Sequence, residues 1–307
     1  MNASAAATAD RLQERGSITF RAAMASVLTA LFLIALKSYA SLTTHSVAML
    51  ASLADSGLDL AASLVNLYGV HLAAQPADRD HKFGHGKAEA LAAMFQVVLI
   101  AVAALAIGWR GVSQLATQSE TMQPEYGIGA SLVATAVTLL LVAYQRHAVA
   151  RTGSVAIHAD NLHYSSDVAL NLSVILALVL DAYFHIHGAD ALFGVLIALW
   201  LLRGAFTSSS HAIDQLMDKE WPAERRQRFL AVAAQHPELK GIHDLRTRTS
   251  GAHDFVQFHV WVDPQMTVLN AHRVMDEVEA ELQKAFPGVE ILIHPDPEGH
   301  MDELNPE

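Results

Sequence analysis

The chain has 307 residues, 52% hydrophobic and only 17% charged, with a mean hydropathy of +0.27, which excludes an ordinary soluble globule and points to a membrane protein. A net charge of −11 and the lack of basic, aromatic-interleaved patches argue against nucleic acid as a partner. Having no cysteine, the chain forms no disulfides and no thiolate zinc sites, so any metal falls to Asp, Glu or the 17 histidines.

The first 19 residues mix small residues with Asp10, Arg11, Glu14 and Arg15 and hold no apolar run, so they read as a cytoplasmic segment without a cleavable signal peptide. Six windows of about 20 mostly apolar residues follow, near 20–42, 47–74, 88–112, 127–147, 155–183 and 189–210. Each is long enough to cross a hydrocarbon layer roughly 30 Å thick as a helix, giving a transmembrane domain over 20–212. Arg11, Arg15 and Arg21 precede or open the first window, Arg79, Lys82 and Lys87 follow the second, and Arg146 and Arg151 follow the fourth. The opposite connections "SLTTHS" and "HIHGA" hold no Lys or Arg, and Arg110 alone marks the third, so both termini are expected in the cytoplasm.

In the second window Ser52, Asp55, Ser56, Asp59, Ser63 and Asn66 recur at intervals of three or four, which gathers them on one helical face. An aspartate at the centre of a bilayer costs about 2.5–3.5 kcal/mol, so two on one span need a partner, a proton or an ion. The loop that follows, "PADRDHKFGHGK", offers Asp78, His81 and His85, the histidines four apart around Gly84; an ordinary polar loop also holds such residues. The fifth window repeats the polar stripe with Asp160, His163, Asp167 and Asn171. If the two stripes face each other, Asp55, Asp59, His163 and Asp167 offer three carboxylates and one imidazole, a ligand set that suits a divalent cation such as zinc. Hydrogen-bonded glue between helices is the other reading, and suits the serines and asparagines better than three uncompensated aspartates.

From about Glu220 the chain is richer in charge, and residues 213–297 read as a separate domain, followed by a tail over 298–307. Its pattern predicts a helix over 223–235, strands over 242–249 and 254–262, a helix over 268–286 and a strand over 289–294. In "FVQFHVWV" Val256, Phe258, Val260 and Val262 share the core face, so His259 points the other way, as does His294 opposite Val289, Ile291 and Ile293. Ala271, Val274, Met275, Val278 and Leu282 form the apolar stripe of the second helix and leave His272 off it. His243, His259, His272, His294 and Asp296 are therefore expected to meet on a non-core surface.

The stretches "ADSGLDLAASLVN", "QPADRDHKFGHGKAEALAA", "LHYSSDVALN", "HDLRTRTSG" and "IHPDP" resemble, in order and spacing, the cation diffusion facilitator family. The resemblance implies an all-α six-helix transmembrane domain followed by a cytoplasmic α+β domain of αββαβ, metallochaperone-like or ferredoxin-like form, assembled as a homodimer in membrane lipid. It implies no enzyme but metal efflux coupled to proton entry. Carried over by position, it assigns Asp55, Asp59, His163 and Asp167 to the intramembrane transport site, Asp78, His81 and His85 to a loop site, and the tail histidines with Asp296 to a binuclear site near the dimer contact. Lys87 and Asp218 would form an intersubunit ion pair. The histidine in the transport set favours Zn2+, as transported and as bound ion, over manganese; cadmium, cobalt and ferrous iron could use the same donors. Pro295 stands where the family usually has glutamine, which removes a side-chain donor and acceptor beside His294 and Asp296. A zinc/proton antiporter working by alternating access is the expected function, with the tail sites as sensors or dimer clamps. A metal-gated channel or a non-transporting zinc sensor would use the same ligands. A metalloprotease is disfavoured by the lack of a His-Glu-x-x-His motif.

Overall fold

The computed structural model describes residues 3–44, 47–117, 128–184, 189–235, 237 and 241–299. Most of "HIHGA", the end of "SLTTHS", and the C-terminal tail beyond residue 299 lie outside the described residues. The chain divides into two compact units, Gly16–Ile213 and Met1–Arg15 with Asp214–Glu307.

The larger unit is built from long helices: α1 (Ala3–Thr44), α2 (Val47–Ala73), α3 (Ala88–Thr117), α4 (Ile128–Thr152), α5 (Val155–Phe184) and α6 (Ala189–Leu216). Helix α1 begins well ahead of the apolar window at residue 20, because alanines with Leu12, Gln13, Glu14 and Arg15 are good helix formers and no Pro interrupts them. Among the described residues, four helices are long and apolar enough to cross a membrane by length and composition: α1, α3, α4 and α6. Helices α2 and α5 carry the two polar stripes. Large apolar side chains face outward, Leu58 at 69%, Trp109 at 76%, Leu140 at 72% and Phe206 at 79% exposure, the distribution that lipid and not water as solvent selects.

The interior of this unit is close-packed through small residues. Ala22 and Ala23 of α1, Ala92 of α3, Ala148 of α4 and Ala156 of α5 are buried together with Val70 and Ile157. Helices α2 and α3 touch at Gly69, where an added Cβ would lie 2.5 Å from Ala92 Cβ and 3.2 Å from the Ala88 carbonyl oxygen, so only glycine permits the approach. Helices α4 and α5 are joined by two residues; Gly153 N–H donates to Val149 O at 2.7 Å and Ser154 Oγ accepts from Ile157 N–H at 3.2 Å, capping α5. That cap fixes where α5 starts and so the depth of its polar stripe.

The second unit holds α7 (Ala223–Ala233), β1 (Gly241–Ser250), β2 (His253–Val262), α8 (Val268–Ala285) and β3 (Val289–Pro297), the αββαβ order expected. The sheet runs β1-β2-β3, with β1 antiparallel and β3 parallel to β2. Val256, Phe258, Val260 and Val262 pack with Phe229 of α7 and Val274, Val278 and Leu282 of α8 into one core, as the alternation predicts. Thr267 caps α8 by accepting from Asn270 N–H at 3.3 Å. Strand β3 continues past the predicted end at 294 to Pro297. It tolerates Pro295 and Pro297 because it is an edge strand: Glu298 N–H donates inward to Val262 O at 3.0 Å, so even-numbered amides face β2 and the odd-numbered proline nitrogens face the open edge. A bulge in β1 between His243 and Arg246, with Asp244 at φ 46°, shifts the register beside His243.

Candidate metal centres

Among the described residues, three groups of side chains place donor atoms within 4.8 Å of one another: Asp59, His163 and Asp167; Asp78, His81 and His85; and His243, His259 and Asp296. Zinc bonded at about 2.0–2.1 Å in a tetrahedron needs donors about 3.3 Å apart, so clusters with donor spacings near that value are of the right size for such an ion.

In the helical unit, α2 contributes Asp59, and α5 contributes His163 and Asp167 four residues apart on one face. His163 Nε2 lies 3.0 Å from Asp59 Oδ1, with side-chain exposures of 14% and 17%. Asp55 is exposed and is not among the converging side chains; it sits one turn earlier on α2. Asp160 belongs to the glue. Its buried carboxylate accepts from Ser26 Oγ at 2.6 Å and Gln145 Nε2 at 2.7 Å, which ties α1, α4 and α5. Gln145 Oε1 accepts from Asn161 Nδ2 at 3.2 Å, and Tyr164 O–H lies 2.9 Å from Ser63 Oγ, extending the network to α2. Sequence reading missed Lys37. From α1 its Nζ donates to Ser56 Oγ at 2.7 Å and to Ser52 O at 3.2 Å, on the turns flanking Asp55. A lysine inside the first apolar window was the available signal, but it lies off both stripes.

The loop between α2 and α3 folds back on itself around Gly84, whose φ of +76° suits glycine; Gly84 N–H donates to His81 O at 3.0 Å. His85 Nε2 lies 3.2 Å from His81 Nδ1 and 3.3 Å from Asp78 Oδ2. The His81 backbone N–H holds the Asp78 carboxyl below its ordinary value of 3.8 against the opposing effect of desolvation, helped by the Asp80 N–H and the two imidazoles. The carboxylate is thus ionised and aimed before any cation arrives.

In the sheet unit, the register aligns His243 with His259 and His259 with His294, a row of imidazoles across the three strands on the face away from α8. Asp296, two residues after His294, is buried and gathers them: Oδ2 lies 3.1 Å from His243 Nε2 and 2.9 Å from His259 Nδ1, and Oδ1 lies 3.1 Å from His294 Nε2. Each carboxylate oxygen thus has its own imidazole partners, an arrangement that fits a carboxylate bridging two ions. Burial pushes the Asp296 carboxyl up, but the His259 hydrogen bond, with the charges of His294 and His259 and the His243 bond, brings it below its ordinary 3.8. Asp244 at the bulge adds a carboxylate 3.7 Å from His259 Nε2. His272 does not join this row. It is exposed on α8, 3.7 Å from Asp276, and α8 packs on the opposite face of the sheet. Lys87 and Asp218 lie one in each unit, and Asp218 Oδ1 has Arg248 Nη1 at 3.7 Å.

Residues 23–217 match the family model of the cation efflux transmembrane domain, and residues 221–298 match that of the cation efflux protein, cytoplasmic domain. The cation-efflux pump FieF of Cronobacter sakazakii is 42% identical over 282 residues, covering 92% of this chain and 94% of that protein. The Escherichia coli protein of the same name is 41% identical over 285 residues, covering 93% and 95%. The metal-bound C-terminal domain of the CzcD transporter from Thermotoga maritima aligns with 26% of this chain and 93% of its own at 25% identity, with a TM-score of 0.25. With both family models matched in order and near-full-length relatives at this identity, the chain belongs to the cation diffusion facilitator family of cation-efflux proteins.

Proposed function

We propose that this protein exports a divalent metal cation, zinc in the first place, from the cytoplasm in exchange for protons, by alternating access around the site between α2 and α5. The observation that carries the reading is the meeting of Asp59, His163 and Asp167 within 4.8 Å in a unit whose outer face is apolar. The 3.0 Å spacing of His163 Nε2 and Asp59 Oδ1 suits a shared proton as well as adjacent ligands of one ion. Metal and proton thus compete for the same atoms, which is the chemistry antiport needs. A shift of α2 along or about α5 by part of a turn would bring Asp55 in as the fourth ligand and close the set. Oxygen-rich coordination without thiolate suits a cation that must also leave; cadmium and ferrous iron are alternative cargoes.

The similarity to proteins called cation-efflux pumps supports the same reading, with a multi-pass location in a bacterial inner membrane, both termini cytoplasmic, and a homodimeric assembly. In that assembly Lys87 and Asp218 would pair between subunits, and a second copy would be the source of a His272 for the histidine row. The loop site at Asp78, His81 and His85 and the row at His243, His259, His294 and Asp296 would bind cytoplasmic metal and report its level.

The test is zinc flux into liposomes carrying the purified protein under an imposed pH gradient. The gradient is expected to drive zinc, and folded Asp59→Ala to carry none. Flux that ignores pH, or that survives loss of Asp59, would leave a channel or a sensor in place of the antiporter.

A further inference from the structure

Lys37 is the only Lys or Arg between Arg21 and Arg79, and it stands inside the first apolar window. A lysine near the end of a span ordinarily extends its stem to carry the ammonium to the interface. Here it turns toward α2 instead, donating to Ser56 Oγ at 2.7 Å and Ser52 O at 3.2 Å. Ser52 and Ser56 bracket Asp55, and Asp59 follows three residues on.

The charges of the transport set do not cancel without Lys37. Asp55, Asp59 and Asp167 bring three negative charges when ionised, a metal-bound histidine is neutral, and a divalent cation brings two positive charges. One negative charge remains in a low-dielectric interior, where an uncompensated charge is costly. We propose that Lys37 is the fixed counter-cation of the intramembrane site: it cancels the third carboxylate, and its repulsion of the incoming metal keeps binding weak enough for release. It is a positioning and affinity-setting residue that touches no metal, and the assignment rests on the transport reading above.

Charge and tether are separable by substitution. Lys37→Arg keeps the charge, Lys37→Gln keeps a hydrogen-bond donor without charge, and Lys37→Met removes both. Zinc flux in liposomes under a fixed pH gradient would be fitted for KM and kcat in all four proteins. Lys37→Gln and Lys37→Met are expected to lower KM on the order of tenfold and to lower kcat with it, since a stronger site releases more slowly. Lys37→Arg is expected to stay near wild type in both. Lys37→Gln with the wild-type KM would make the lysine a tether only and overturn the proposal, even if Lys37→Met fails to fold. A wild type that moves no zinc would instead sink the transport reading, and this assignment with it.

Discussion

The site between α2 and α5 and the row on the sheet use the same side chains, but hold them by different means. In the helical unit Asp59, His163 and Asp167 come from two helices joined by packing and a few side-chain bonds, with no backbone ladder to fix one against the other. On the sheet, His243, His259 and His294 are locked in line by the backbone ladder, and Asp296 is buried beneath them. A site that must open and reload needs the first construction. A site that must give the same response to each rise in metal is better served by the second.

Three substitutions would break or sharpen that contrast. The largest effect is expected from His163→Ala, which removes the imidazole of the Asp59–His163–Asp167 group: on the proposed function zinc flux should fall by about 100-fold or more, while zinc binding to the sheet row stays as in wild type. Next comes Asp296→Asn, which halves the acceptor capacity shared by three imidazoles. Zinc affinity of the row, read by calorimetric titration, should drop by about 10–100-fold, with flux at saturating zinc far less affected. The same carboxyl carries a pH signature. Its folded value lies below 3.8, so its contribution to stability is complete above the ordinary carboxylate range and is lost as pH falls through that lowered value. Resistance of the metal-free second unit to urea should therefore weaken as pH falls through and below the ordinary 3.8, and less so in Asp296→Asn. The smallest effect is expected from Asp78→Ala, since the loop is half-exposed and lies outside the helix contacts; its zinc binding should weaken with flux changed by only a few-fold.

Much of this was legible in the sequence because periodicity reports faces. The alternation in "FVQFHVWV" assigns His259 to the non-core side, and the three- and four-residue spacing in α2 and α5 puts Asp59, His163 and Asp167 on facing stripes. What periodicity does not report is register or depth. His243 reaches the row next to a bulge at Asp244, and a bulge has no signature in a run such as "GIHDLRTRTS". His272 lies off the apolar stripe, yet off-stripe on α8 means solvent and not the histidine face. Asp55 lies on the right side of α2 but one turn from the meeting point. Lys37 carries no such signal because a stripe belongs to one helix, and its partners Ser52 and Ser56 are on another.

Pro295 and Pro297 leave the outer rim of β3 without amide donors on either side of Asp296. An extended chain arriving at that end would find carbonyls but no N–H to complete a ladder, which blunts this part of the edge. A second copy of this protein is thereby steered away from adding a strand at this rim.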